Sequence, residues 1–144
     1  FPSGPGEPFG RILSRDLFHF VLDIEVKRSR RYQNFLCLVL FKIKQFPQEG
    51  DRGVLQACYQ KLGDLLMEET RESDLIGSLE ADRLAVLLPY ADMKVGAHVK
   101  SRFEDALKLY DFKSKGIDIL IDQVGFPVNG SDTTDLIERA LRIE

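Results

Sequence analysis

Arg71 and Asp74 stand three residues apart, immediately before a predicted pair of strands. A guanidinium group donates two parallel hydrogen bonds to a phosphate or to a guanine edge, and a carboxylate accepts hydrogen bonds from N–H groups. The pair therefore has the residue types that bind a polar, anionic ligand. The spacing alone is not specific, because Arg102 and Asp105 share it within a predicted helix, where such residues form i,i+3 ion pairs. A local ion pair is the alternative interpretation for Arg71 and Asp74.

No other group of reactive residues accompanies this pair. Cys37 lies in an apolar run and Cys58 in an amphipathic segment, without the Cys and His spacing of a metal site. His19 and His98 are single residues on predicted helices. We therefore expect two buried free thiols, two histidines without a catalytic role, no metal and no other cofactor.

Length and charge limit the classes of protein that this chain can represent. Its 144 residues, of which 44% are hydrophobic, suffice for one domain with one core. No apolar run approaches the roughly 20 residues that span a bilayer, and no signal peptide is recognisable. The first ten residues are rich in Pro and Gly. We expect a linker or an expression remnant over 1–13 and a domain over 14–144, cut from a longer protein.

A basic cluster could suggest nucleic-acid binding. It consists of Lys27, Arg28, Arg30 and Arg31, at the predicted end of the first helix. Cations at this place complement the carbonyl end of the helix dipole. No aromatic residues interleave with them as in a stacking platform, and the net charge of −3 provides no long-range attraction for nucleic acid. We expect neither nucleic-acid binding nor membrane insertion.

Apolar spacing and turn residues predict helices that alternate with strands around one hairpin. In chain order, the predicted elements are a helix over 14–30, a strand over 35–44, a helix over 50–69, a hairpin over 74–88, a helix over 92–109, a strand over 117–126 and a helix over 133–143. The predicted caps are Ser14 or Asp16 for the first helix, Asp92 for the third and Asp132 for the last. The inward residues predicted for the first helix are Leu17, Phe20 or Val21, and Ile24. Those predicted for the helix after the hairpin are Val95, Val99, Phe103 and Leu107. This order predicts an α/β or α+β sandwich with a mixed sheet.

The stretch 71–89, RESDLIGSLEADRLAVLLP, resembles the core hairpin of the GGDEF (diguanylate cyclase) family. In that family an Arg-x-x-Asp pair is followed by five residues, a five-letter signature on a turn, and a strand ending in Pro. The segments KRSRRYQNFLCLVLFKIKQF and VGFPVNGSDTTDLIERAL resemble the family's first strand region and its last strand, Pro-x-x-Gly loop and terminal helix. The resemblance covers almost the whole domain. It implies a nucleotide-cyclase-like fold, with a central mixed, mostly antiparallel sheet of about five strands flanked by helices.

The signature of an active member reads Gly-Gly-(Asp/Glu)-Glu-Phe. The matching residues here are Glu80, Ala81, Asp82, Arg83 and Leu84, so only its third letter is kept. The two Gly let the backbone approach the phosphates of GTP, whereas a Glu side chain at that place repels them. The resemblance therefore implies a degenerate signature.

The metal ligands of the family are also replaced. Lys42 and Lys44 stand where the family has Asp-x-Asp before a Phe, here Phe46, and an ammonium group has no lone pair for Mg²⁺. The segment between Phe46 and Gly50 is shorter than the family's and lacks the Asn that holds guanine. We expect no cyclase activity and no catalytic residue. One hypothesis is that Lys42 and Asp82 pair directly in place of a cation; the alternative is that Lys42 points to solvent.

In active cyclases the Arg-x-x-Asp pair belongs to a separate inhibitory site that binds the product, cyclic di-GMP, as an intercalated dimer. A second Arg from the following helix completes that site, and the matching residue is Arg102. The resemblance thus implies ligand contacts by Arg71, Asp74 and Arg102. Each charge-assisted hydrogen bond contributes about 1.5–3 kcal/mol when partly desolvated.

Three functions are compatible with these residues. The first is a catalytically inactive receptor for cyclic di-GMP that transmits binding through a homodimer or through other domains of the same parent protein. The second is a structural dimerisation or interaction module that binds no nucleotide. The third is a sensor of GTP, which Glu80, Ala81 and Lys42 disfavour. The resemblance implies a bacterial cytoplasmic protein, or the cytoplasmic part of a larger, membrane-associated one.

Overall fold

The computed structural model describes residues 12–45 and 52–142. Its helices are α1 (Arg15–Tyr32), α2 (Arg52–Glu69), α3 (Met93–Leu107) and α4 (Thr133–Leu141), and its strands are β1 (Ile12–Leu13), β2 (Leu36–Gln45), β3 (Leu75–Glu80), β4 (Arg83–Pro89) and β5 (Ile117–Phe126). The strands form one sheet in the order β1-β3-β4-β2-β5. The β1–β3 pair is parallel and the other pairs are antiparallel. The predicted mixed, mostly antiparallel sheet of about five strands is confirmed.

β2 is a central strand and is buried on both faces over most of its length. Its residues Leu36, Leu38 and Leu40 pack with α1 and α4, whereas Val39 and Phe41 pack with α2 and α3. A strand covered on both faces needs apolar residues at successive positions, and the run LCLVLF supplies them. The helices therefore form two layers with the sheet between them.

Three helices begin at side-chain caps that lie in the predicted places. The N–H of Leu17 donates to Ser14 Oγ at 3.3 Å, which selects Ser14 over Asp16 as the cap of α1. Asp92 Oδ1 and Asp132 Oδ1 each accept a backbone N–H at 2.9 Å at the starts of α3 and α4. These contacts satisfy amides that have no partner within the helix. The predicted start of α2 at 50–51 lies outside the described residues.

The inward face predicted for α1 is wrong by one residue. The buried residues are Phe18, Leu22, Val26 and Ser29, whereas Phe20 is 63% exposed and Ile24 is 42% exposed. The physical reason lies in β3, because a Cβ added at Gly77 would overlap the ring of Phe18. The absence of a side chain at Gly77 lets α1 seat Phe18 directly on the sheet.

The predicted inward residues Val99, Phe103 and Leu107 of α3 pack in the core, and the prediction is wrong only at Val95. Val95 is 48% exposed, while Gly96 and Phe103 are buried. A Cβ added at Gly96 would overlap Sγ of Cys37 on β2. The helix therefore approaches the sheet along Gly96, which turns Val95 outward.

The predicted linker over 1–13 overlaps the sheet. Ile12 and Leu13 form β1 and pair with Ile76 and Gly77 of β3, and the rest of the predicted linker lies outside the described residues. Phe46 and the shortened segment that follows it also lie outside them. None of the helices in the described ranges is long and apolar enough to cross a membrane.

Candidate functional site

Arg71 and Asp74 occupy one tight turn between the end of α2 and the start of β3. The backbone N–H of Arg71 donates to Asp74 Oδ2 at 3.0 Å, and the backbone N–H of Asp74 donates to the Arg71 carbonyl at 3.0 Å. A carboxylate that bonds a backbone amide three residues earlier stabilises such a turn. Asp74 is half-buried and the Arg71 side chain is exposed. The turn thus holds the Asp74 carboxylate in place.

The side chains of Arg71 and Asp74 do not form the local ion pair that was the alternative interpretation. Among the described residues, no ion pair joins the Arg71 guanidinium to the Asp74 carboxylate, although the backbone of Arg71 contacts that carboxylate. Asp74 Oδ1 likewise has no hydrogen-bond partner within the described ranges. One carboxylate oxygen and one guanidinium therefore remain available at this turn.

Arg102 reaches across from α3 to the end of α2. Its Nη2 donates to the carbonyl oxygen of Glu69 at 2.8 Å, and Glu69 is the last residue of α2. Carbonyl groups in the last turn of a helix lack intrahelical partners and carry the negative end of the helix dipole, so they favour a cation. The contact brings the Arg102 guanidinium to the chain segment that carries Arg71, two residues further on.

Residues 80–84, which were matched to the family signature, lie at the opposite end of the β3–β4 hairpin from that turn. Lys42 of β2 stands directly opposite Arg83 of β4 in the strand register. Two cations therefore occupy neighbouring positions on adjacent strands. Lys44 stands opposite Asp118 of β5.

Arg83 is built into the fold. Its side chain is only 12% exposed, and Nη1 donates to the carbonyl of Ala140 in the last turn of α4 at 3.2 Å. Its Nε lies 3.8 Å from Asp82 Oδ1. A cation at a helix carboxyl end is favourable, and here it ties the hairpin to α4.

The proposed pairing of Lys42 with Asp82 is wrong. Asp82 forms its ion pair with the adjacent Arg83, and no ion pair joins it to Lys42 within the described part of the chain. The backbone carbonyl of Asp82 instead accepts the N–H of Ile43 at 2.8 Å, which fixes the hairpin turn against β2. The cation that pairs with Asp82 is therefore its sequence neighbour Arg83.

The remaining signature positions follow the local structure. Leu84 is fully buried in the core between the sheet and the helices α2 and α3, whereas Glu80 and Ala81 are exposed at the turn. Within the described ranges, no three His, Cys, Asp or Glu residues come together in a way that could hold a metal ion. The Glu80 side chain is thus presented at the surface of the turn.

Both cysteines are free and buried, as predicted. Burial raises the pKa of the Cys37 thiol from 9.0 to about 11, and burial likewise raises the pKa of the Cys58 thiol to about 11. A thiol that stays protonated at neutral pH is a poor nucleophile. His19 and His98 are exposed on α1 and α3.

The basic cluster of α1 is largely engaged within the molecule. Lys27 pairs with Asp23 at 2.8 Å and Arg28 with Glu25 at 3.3 Å, while Arg30 donates to the carbonyl of Ser131 at 2.6 Å. The Lys27 ammonium and, after it, the hydroxyl of Thr133 hydrogen-bond the Asp23 carboxylate and hold its pKa below the usual value.

Two partners at these sites were not predicted from the sequence. They are the carbonyl groups of Glu69, which holds Arg102, and of Ala140, which holds Arg83. Every residue carries such a carbonyl, so no side-chain signal could have indicated them.

No protein-family model matches the chain, and no curated protein matches it. Solved structures do match. A DGC protein from Thermotoga maritima is 17% identical with a TM-score of 0.77, over 94% of this chain and 98% of that one. The active GGEEF domain of a diguanylate cyclase from Vibrio cholerae is 15% identical with a TM-score of 0.71, over 91% of this chain and 87% of that one.

The GGDEF domain of DgcB from Caulobacter crescentus, solved in complex with c-di-GMP, is also similar. It is 12% identical with a TM-score of 0.71, and the match covers 97% of this chain and 87% of that one. At these identities the likeness shows the fold, a mixed five-strand sheet flanked by four helices as in GGDEF domains.

Proposed function

We propose that this chain is a catalytically inactive GGDEF-like domain that serves as a receptor for cyclic di-GMP through Arg71, Asp74 and Arg102. The observation that carries the proposal is the 2.8 Å hydrogen bond from Arg102 to the carbonyl of Glu69. It holds a second guanidinium at the end of α2, beside the turn that presents Arg71 and the Asp74 carboxylate. Two cationic donor groups and one acceptor are thereby available to one ligand.

The chemistry of these groups matches the ligand. Each guanidinium can donate a pair of hydrogen bonds to guanine O6 and N7 or to a phosphate, and the open oxygen of Asp74 can accept from guanine N1 or N2. An intercalated dimer of cyclic di-GMP carries four guanines and four phosphates, enough to engage a second protein surface. Binding is then transmitted by dimerisation or by changed contacts with other domains of the parent protein, in the bacterial cytoplasm.

The proposed inactivity rests on the cations of the former catalytic end. Lys42 cannot donate a lone pair to Mg²⁺, and the largely buried Arg83 guanidinium adds a second positive charge in the neighbouring strand. Incubation of the chain with GTP and Mg²⁺ or Mn²⁺ should yield no cyclic di-GMP by chromatography, with an active diguanylate cyclase as the positive control. Formation of product would refute the inactivity.

Calorimetric titration with cyclic di-GMP tests the receptor function. We expect saturable binding by the unchanged chain, and a loss of at least about tenfold in affinity for Arg71→Ala, since a charge-assisted bond contributes about 1.5–3 kcal/mol. Arg15→Ala, which removes an exposed Arg on α1, is the matched control and should bind normally. Absence of binding at tens of micromolar, or equal binding by Arg71→Ala, would contradict the proposal.

A structural interaction module is the second candidate function. The observation in its favour is the apolar outer face of α1, where Phe20 and Ile24 are exposed. Sedimentation of the chain with and without cyclic di-GMP distinguishes the two functions. A ligand-independent oligomer that dissociates in Phe20→Ser, together with no nucleotide response, would favour the module over the receptor.

A further inference from the structure

β5 is an outer strand of the sheet. It pairs with β2 along its ten residues, and no other described strand pairs with it. The backbone N–H groups of Ile117, Gln123 and Gly125 donate to nearby acceptors outside β2, namely the Phe112 carbonyl, Asp122 Oδ1 and Asn129 Oδ1. In an antiparallel pair, alternate residues direct their backbone groups to the same side. The backbone N–H and C=O groups of the odd-numbered residues of β5 therefore point away from β2.

This alternation leaves a short open edge in the middle of β5. Ile119 and Ile121 are the odd-numbered residues whose N–H groups have no acceptor within the described ranges. An edge with unpaired backbone donors and acceptors is a template for an added strand. The open edge, defined as 118–122, is therefore suited to pair with an extended segment.

A cavity of about 780 Å³ lies beside the open edge. Its walls include Leu107 at the end of α3, the following loop, and the first half of β5. Tyr110 and Phe112 stand in the loop with ring centroids 6.0 Å apart. Like Ile119 and Ile121, they line the cavity and pack against the buried core on the α2 and α3 side of the sheet. An added strand could place its apolar side chains here.

The other face of the open edge is acidic. Asp118 and Asp122 flank Leu120, and these three residues lie on the α1 and α4 side of the sheet. Lys44 of the neighbouring strand β2 lies beside Asp118. On the side away from β2, both carboxylates adjoin the open edge. A second copy centred on Leu120 would set Asp118 against Asp122 of the copy, which is unfavourable. A strand with Lys or Arg at these positions would instead be attracted.

We infer that the open edge of β5 is a docking site for an extended basic segment of a partner protein. The segment adds as a further strand, bonds the backbone of Ile119 and Ile121, directs apolar side chains into the cavity, and sets cations beside Asp118 and Asp122. This site is remote in the chain from Arg71 and Asp74 and does not depend on cyclic di-GMP.

A capped peptide of alternating Lys and Val, seven residues long, is the probe. NMR titration of the 144-residue chain should show binding and slowed hydrogen exchange at the amides of Ile119 and Ile121. The same peptide with N-methyl groups on alternate residues lacks the N–H groups that would donate to β5, and should not bind. A peptide with Glu in place of Lys should bind more weakly.

Charge-reversed variants of the protein provide a second test of this docking site. Asp122→Lys, opposite the apolar Leu40, should weaken the Lys peptide about tenfold and strengthen the Glu peptide, since a cross-strand charge pair changes sign. The double variant Asp118→Lys/Asp122→Lys should bind the Lys peptide still more weakly and the Glu peptide still more strongly. Asp16→Lys, which reverses a 94% exposed acid on α1, is the matched control and should leave both peptides unaffected.

Four results would overturn this inference. The first is binding of the N-methylated peptide as tightly as the parent. The second is binding that leaves the hydrogen exchange of Ile119 and Ile121 unchanged. The third is an equal loss of affinity in Asp16→Lys, which would indicate a general charge effect. The fourth is an oligomer of the chain that becomes monomeric in Ile119→Lys, which would show that a second copy covers this edge.

Discussion

Replacing Arg102 with Ala or with Lys separates its contribution to the fold from its proposed role in ligand binding. The hydrogen bond to the Glu69 carbonyl is exposed, so its loss in Arg102→Ala should lower the free energy of unfolding by about 0.5–1.5 kcal/mol. For a chain of this length each kcal/mol corresponds to about 2–4 °C in Tm. Arg102→Lys keeps a cation that can donate to the same carbonyl, and should lose less stability.

Ligand affinity should follow a different order. Neither variant has a guanidinium fork, so both should bind cyclic di-GMP at least about tenfold more weakly than the unchanged chain. Urea denaturation followed by circular dichroism gives the stability, and calorimetry gives Kd. Lys94→Ala, an exposed cation on the same helix, is the control for helix and charge effects.

Two outcomes would refute this reasoning separately. Unchanged affinity in Arg102→Ala would remove Arg102 from the proposed site, whatever its stability. Unchanged stability in the same variant would mean that the contact with Glu69 contributes nothing in solution. If Arg102→Lys binds as well as the unchanged chain, the site needs only a point charge and the fork geometry is not used.

Three further changes test the fold around the site. Gly77→Ala should destabilise the domain by about 1–3 kcal/mol in urea denaturation, because its Cβ overlaps Phe18, and Phe18→Leu in the same chain should recover part of the loss. Arg83→Met should lower Tm, because the Ala140 carbonyl loses its donor, and Arg83→Glu should still show no cyclase activity, because Lys42 remains. The raised pKa values of Cys37 and Cys58 keep protons bound in the folded state up to about 11, so stability should be retained below pH 9.0 and fall between there and about 11. Replacing both with Ala or Val should flatten that fall in a pH series of urea denaturations.

Local interactions made much of the fold predictable. The caps Ser14, Asp92 and Asp132 accept hydrogen bonds from backbone N–H groups three residues later. Short segments of sequence therefore suffice to predict where these three helices start. The β5 strand begins and ends at the predicted residues, and the hairpin turns at Ala81 and Asp82 as its tight spacing predicts. The resemblance carried by 71–89 likewise pointed to the fold that the solved structures share.

Contacts between distant segments decided the rest. Periodicity on α1 offers two apolar stripes, and only the bare backbone of Gly77 selects the one that contains Phe18. The anchors of Arg102 and Arg83 are carbonyls 33 and 57 residues away in the chain. A backbone carbonyl is common to all residues, so the sequence identifies the donor but the fold alone identifies the acceptor. The same holds for the open edge of β5, since a strand becomes an edge only through the order in which the sheet assembles.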